Sequence, residues 1–151
     1  MSVERVLALD LGAHTVGTAV SDELLLTAQP TSAGIIRREK PTKLRRTLAA
    51  IEELVKAYHI GTIVLGFPLN MDGSEGKRCE ETREFASLLE KRIHLPVIFM
   101  DERLTTVEAL SEMELSGQKD IKKHVDEAAA MIILQDHLNQ EYQKRAKKDN
   151  G

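Results

Sequence analysis

The sequence predicts an α/β fold: a mixed five-stranded sheet, three antiparallel strands followed by two parallel ones, with helices on both faces. Three observations carry this expectation. Three apolar runs separated only by turn-length punctuation crowd the stretch before Arg37, so they must run up and down. From Pro41 the apolar period lengthens to that of a helix, and two further short β-branched or apolar runs then alternate with helical stretches. A chain of 151 residues with 42% hydrophobic content suffices for one core, which places a single domain over residues 1–140 and leaves 141–151 as a charged tail expected to fray.

Val6 to Asp10 reads as a buried strand, Val16 to Ser21 as a second after a turn at Gly12, and a third lies between Leu24 and Ile36, interrupted by Pro30 and Gly34. Leu44, Leu48, Ile51, Leu54, Val55 and Tyr58 share one helical face, with Pro41 suited to the first turn. Thr62 to Gly66 makes the fourth strand. A helix from about Glu75 to Arg92 turns Phe85, Leu88 and Leu89 inward, and Val97 to Met100 forms the fifth strand after Pro96. Thr105 and Glu108 have capping-box spacing, so a helix is expected from there to before Gly117. The polar stretch Ser116 to His124 reads as mobile, and a last helix begins near Val125 with Ala128, Ala129, Ile132 and Ile133 inward. Right-handed crossovers put the later strands beside the first.

The net charge of −3 argues against a uniformly basic nucleic-acid coat but leaves local clusters: Arg37, Arg38, Lys40, Lys43, Arg45 and Arg46; Lys119, Lys122, Lys123 and His124; and Lys144, Arg145, Lys147 and Lys148. Each is equally readable as a solvated face. Cys79 is the single cysteine, which excludes an intramolecular disulfide and a cysteine-rich zinc site and suits a reducing cytoplasm, where it reads as an idle thiol. The first apolar run is broken by Asp10 and no window approaches about 18 apolar residues, so neither export nor a membrane span is expected.

Asp10 is the residue that asks for chemistry. It closes the apolar run Val6-Leu7-Ala8-Leu9, where another aliphatic would pack better, and even a neutral polar group buried without a partner costs about 2–7 kcal/mol. A divalent cation would justify the charge. Glu102 and Asp126 also stand at the edges of apolar segments, and in open sheets of this kind ligands gather beyond the carboxyl ends of the parallel strands, where Asp10, the loop after Gly66, and Glu102 all fall. Asp126 joins them if the last helix crosses the same edge; it is equally readable as a carboxylate complementing a helix N-terminus.

The blocks Asp10-Leu11-Gly12 with Val16 to Asp22, Gly66-Phe67-Pro68-Leu69-Asn70-Met71-Asp72-Gly73, Asp101-Glu102-Arg103-Leu104-Thr105-Thr106 and Val125-Asp126-Glu127-Ala128-Ala129-Ala130 resemble, in order, the signatures of the bacterial YqgF/RuvX family. The resemblance spans nearly the whole chain. It implies a ribonuclease H-like fold and the activity for which members are described: pre-16S rRNA nucleases, or in older descriptions Holliday junction resolvases. It also implies that Asp10, Glu102 and Asp126 are the catalytic and metal-binding acids, holding Mg²⁺ or Mn²⁺, with Asp10 bridging two ions. Such a pair, about 3.5–4 Å apart, activates an in-line water and neutralises charge on the phosphoryl transition state. One departure stands out: His14-Thr15 occupies the place of a basic pair found in many relatives, so a phosphate contact there would need a protonated His14.

Substrate contacts are expected from Gly12, His14, Asn70, Lys77, Arg78 and Arg103. The glycines and Pro68 of the loop Gly66 to Lys77 let backbone amides approach a phosphate, and Lys77 and Arg78 open a helix whose N-terminus favours anions. The same loop is readable as a plain strand-to-helix connection, and Arg103 as a partner of Asp101. Three functions compete: a metal-dependent nuclease on structured RNA or branched DNA, an ATP-handling protein of the actin and sugar-kinase type, and an idle nucleic-acid-binding module. The second would need two related domains around a cleft, for which the chain has no residues. With 3% aromatics and no tryptophan, backbone and shape contacts are expected to outweigh base stacking. Both a monomer and a homodimer are compatible with the sequence.

Overall fold

A computed structural model describes residues 4–38, 44–70, 72–101 and 121–150. Its elements are β1 (Arg5–Leu11), β2 (Thr15–Ser21), β3 (Ala28–Arg37), α1 (Arg45–Tyr58), β4 (Ile60–Phe67), α2 (Lys77–Ile93), β5 (Val97–Asp101) and α3 (Ile121–Asn150). The strands form one sheet in the order β3-β2-β1-β4-β5. The β1–β2 and β2–β3 pairs are antiparallel, and the β1–β4 and β4–β5 pairs are parallel, as the strand spacing implies. The helix expected from Thr105 to before Gly117 lies outside the described residues.

Each inner strand is buried on both faces because its side chains alternate between two apolar layers. Leu7, Leu9, Val16, Val20, Ile63 and Leu65 pack against α1 and α2, through Leu48, Ile51 and Leu54 on one helix and Phe85, Ala86 and Leu89 on the other. Val6, Ala8, Ala19 and Val64 face the opposite way and meet Ala130, Ile133, Leu134 and Leu138 of α3. The six apolar positions read onto α1 all contribute to the first layer. Leu88 does not behave as its neighbours do. A step of about 100° around α2 carries it off the stripe of Cys79, Thr82, Phe85, Ala86 and Leu89, and it is 39% exposed, a correction to the inward reading.

Strand β3 accommodates Pro30 and Gly34 without ending. It is an outer strand, where a missing donor is tolerated, and its register against β2 shifts between Gly17 and Ala19. The shift is held by two threonines. The Thr18 hydroxyl donates to the Gly34 carbonyl at 2.6 Å and lies 2.6 Å from the Thr31 hydroxyl, while Thr31 Oγ1 accepts the amides of Ala33 and Gly34. Gly34 takes the positive φ of 60° that this local path requires.

Helix α3 already includes Ile121, ahead of the Val125 read from periodicity, and continues through the charged end to Asn150, where the sequence leads one to expect fraying. Lys144 pairs with Glu141 at 3.4 Å along the helix, and Lys147 and Lys148 in the last turn complement the dipole. The direction of α3 is fixed by Gln135, whose Oε1 accepts the Ala28 amide and whose Nε2 donates to the Leu26 carbonyl, each at 2.9 Å. Further along, His137, Leu138, Glu141 and Arg145 line a cavity of about 240 Å³ with Val6 and Thr62, at the starts of β1 and β4. The helix therefore runs antiparallel to β1. No described helix is long and apolar enough to cross a membrane.

His137 is only 6% exposed, and burial holds its imidazole below the ordinary pKa of 6.5. The unfolded chain thus binds the proton more readily, so His137 contributes stability above about pH 6.5 that is lost as pH falls through the lower folded value. His137→Phe is expected to flatten the decline in melting temperature between pH 7.5 and 5. An unchanged slope in the variant would contradict the assignment.

Candidate functional site

Asp10 occupies the penultimate position of β1, half-buried, on the α3 side of the sheet by alternation with Val6 and Ala8. Its setting on either side is formed by glycines. Gly17 pairs directly with Asp10 on β2, and on β4 the row after Leu9 and Leu65 brings Gly66 beside it. A cross-strand neighbour ordinarily places its Cβ about 4.5–5.5 Å away, so two glycines clear the flanks of the carboxylate. The sequence signal for this clearance was present in Val16-Gly17-Thr18 and Leu65-Gly66-Phe67, but only the register makes both glycines neighbours of one acid.

The ends of β4 and β5 complete the rim. Gly66 pairs with Met100 and Phe67 with Asp101, so the carboxyl end of β5 stands two strands from Asp10, about 10 Å across the sheet. Glu102 and Arg103 lie outside the described residues. Asp126 belongs to α3, and its side chain likewise lies outside what is described. Further along the helix, Gln135 is tied to Ala28, opposite Ser21, whose Oγ accepts the Val6 amide at 2.9 Å. Among the described residues no three metal-ligating side chains cluster, and of the three acids only the Asp10 side chain belongs to that set.

The turn after Asp10 is held from several directions. The Gly12 amide donates to the Thr15 carbonyl at 2.8 Å, and a Cβ built on Gly12 would stand 3.1 Å from that same oxygen. Arg38, just past β3, donates its amide to the His14 carbonyl at 2.8 Å and its Nη1 to the Gly12 carbonyl at 2.6 Å. Arg78 in the first turn of α2 reaches the Leu11 carbonyl at 3.4 Å. His14 and Lys77 are exposed beside this rim. In the sequence Arg38 reads only as part of a basic cluster; no local pattern announces a guanidinium that folds back across the turn between β1 and β2.

The loop before α2 is internally bonded. Asn70 donates Nδ2 to Ser74 Oγ at 3.0 Å and its amide to the Ser74 carbonyl at 2.9 Å, while Asp72 Oδ1 accepts from the Ser74 amide and hydroxyl. The Asn70 side chain is thus engaged within the turn. Arg83 pairs with Glu75 and lies 5.0 Å from the centre of the Phe67 ring, which anchors the end of the loop to β4. Cys79 is buried with its thiol 3.4 Å from the Pro68 carbonyl, a packing role in keeping with an idle thiol.

A sheet of this order, with helices on both faces and an acid at the end of its central strand, defines the ribonuclease H-like class. Solved structures of Thermus thermophilus RuvC have the same fold. One, in complex with a Holliday junction substrate, matches with a TM-score of 0.60 at 14% identity over 92% of this chain and 96% of that one. Another matches at 0.52 and 12% identity over 85% and 92%. The model of a family described as "RuvX: Holliday junction resolvase" matches residues 4–140, and the chain belongs to that family. Relatives named "Putative pre-16S rRNA nuclease" include one from Agathobacter rectalis, 53% identical over 89% of this chain and 94% of its own length, and one from Lachnospira eligens, 45% identical over 89% and 96%.

The close approach at Gly12 has a measurable consequence. Gly12→Ala forces the Thr15 carbonyl aside and is expected to destabilise the fold by about 1 kcal/mol in chemical denaturation. A midpoint identical to that of the parent would show that the turn yields freely.

Proposed function

We propose that this chain is a metal-dependent nuclease that hydrolyses phosphodiester bonds during 5′-end maturation of pre-16S rRNA in the cytoplasm. The observation that carries this reading is the Asp10 carboxylate at the end of the central strand, flanked by Gly17 and Gly66 and half open to the rim. Family membership and the names of close relatives support the same activity. A hard carboxylate with cleared flanks fits a divalent cation such as Mg²⁺ or Mn²⁺, which Asp10, Glu102 and Asp126 would hold. When bound, the metal supplies an activated water and neutralises charge on the phosphoryl group. Arg78, Lys77 and His14 are exposed near the same rim, where they would receive the phosphate backbone on either side of the cleaved bond.

A second reading, cleavage of branched DNA, is favoured by the description of the family as a Holliday junction resolvase. The two readings separate when a precursor 16S 5′ end and a four-way junction are offered side by side with Mg²⁺. Faster turnover of the RNA supports the first, and faster symmetric cutting of the junction replaces it with the second.

Asp10→Asn is expected to preserve the fold and lower Mg²⁺-dependent cleavage by more than about a hundredfold, beyond the 10–100-fold typical of residues that only support a metal ligand. Undiminished turnover by the purified variant would refute the assignment. Binding to the RNA is expected to weaken about tenfold or more between about 50 and 200 mM salt, through Arg37, Arg45, Arg46 and the Lys122-Lys123 pair. An affinity indifferent to salt would contradict backbone-dominated recognition.

A further inference from the structure

We infer that Arg38 is a positioning residue for the candidate nuclease centre: by bonding the Gly12–His14 turn through both backbone and side chain, it sets where the end of β1 holds Asp10. The inference rests on the nuclease reading above and adds to it a residue outside the acidic set. Arg38 follows β3, an outer strand two positions from β1 in the sheet, yet its guanidinium crosses the β2 turn to the Gly12 carbonyl, two residues beyond Asp10. Its amide takes the His14 carbonyl. Two carbonyls of one three-residue turn are thus held by one residue from a distant part of the chain. Arg78 approaches the preceding carbonyl, Leu11, from α2, so the backbone following Asp10 is braced from two elements.

The surroundings favour a rigid brace over a surface charge. Arg38 is half-buried and lines a cavity of about 370 Å³ with Leu11, Leu44, Phe85 and Leu88, with Glu81 and Glu84 on the same wall. Burial pushes the guanidinium pKa below its ordinary value, opposed by the nearby Glu81 carboxylate. A planar, preorganised donor loses little freedom on forming such a bond, which a flexible lysine cannot match. Displacement of a reacting group by about 1 Å can lower a rate about a hundredfold, so bracing the turn bears directly on the acid before it.

The test compares the full-length parent, Arg38→Gln, Arg38→Lys, Arg38→Ala and Asp10→Asn by Mg²⁺-dependent thermal stabilisation and by cleavage of one RNA. Positioning predicts that Arg38→Gln raises the Mg²⁺ concentration for half-maximal stabilisation about tenfold or more and lowers kcat by about 10–100-fold with KM nearly unchanged. Arg38→Lys should fall between, and added guanidinium ion should partly restore an Arg38→Ala variant. A raised KM with an unchanged Mg²⁺ midpoint would overturn the inference in favour of a phosphate contact. A lowered melting temperature with midpoint and kcat intact would overturn it in favour of a purely structural tie. A parent showing no Mg²⁺ response, equal to Asp10→Asn, would sink the nuclease reading itself and the inference with it.

Discussion

The burial of β1 on both faces is the constraint from which the rest of the molecule follows. Leu7 and Leu9 are enclosed by α1 and α2, Val6 and Ala8 by α3, and hydrogen bonds to β2 and β4 occupy both edges. A strand so enclosed has no lateral surface on which to display a charge. Its only outlet is its end, and there the chain places Asp10. The same enclosure demands small residues alongside, since Gly17 and Gly66 sit where any larger side chain would compete for space with whatever the carboxylate meets.

Much of this was legible in the residues themselves. The interrupted apolar runs located all five strands, and the three inner ones are apolar on both sides because both faces of the sheet are covered there. The periodicity of Leu44 to Tyr58 located α1 and its inward face, since six apolar positions at helical spacing admit one amphipathic solution. The anomaly of a carboxylate in Leu9-Asp10-Leu11 pointed to the rim. What periodicity could not resolve were the margins. Leu88 lies at the flank of a stripe rather than within it, and the first described turn of α3, from Ile121, falls in a polar stretch where apolar spacing is silent.

Long-range relations were hidden for a different reason. The pairing of Gln135 with Leu26 and Ala28, which orients α3, joins residues more than a hundred positions apart, and the reach of Arg38 to Gly12 crosses a whole strand. Neither leaves a local trace, since a glutamine in a helix or an arginine after a strand is compatible with solvent. Site residues that depend on register, such as the glycines beside Asp10, become evident only once neighbouring strands are aligned. The acidic set came only as what the resemblance to YqgF/RuvX proteins implies, and family membership bears out the resemblance itself.

The distribution of the rim along the chain bears on the order in which it can assemble. The β1–β2 hairpin is local and can form early, but β4 must close a loop of some fifty residues before it lies against β1, and α3 arrives from the far end of the chain. A partly folded chain therefore carries Asp10 before β4 and α3 have closed around it. The rim at the end of β1 is thus late to assemble, because its parts come from segments that only long-range folding brings together.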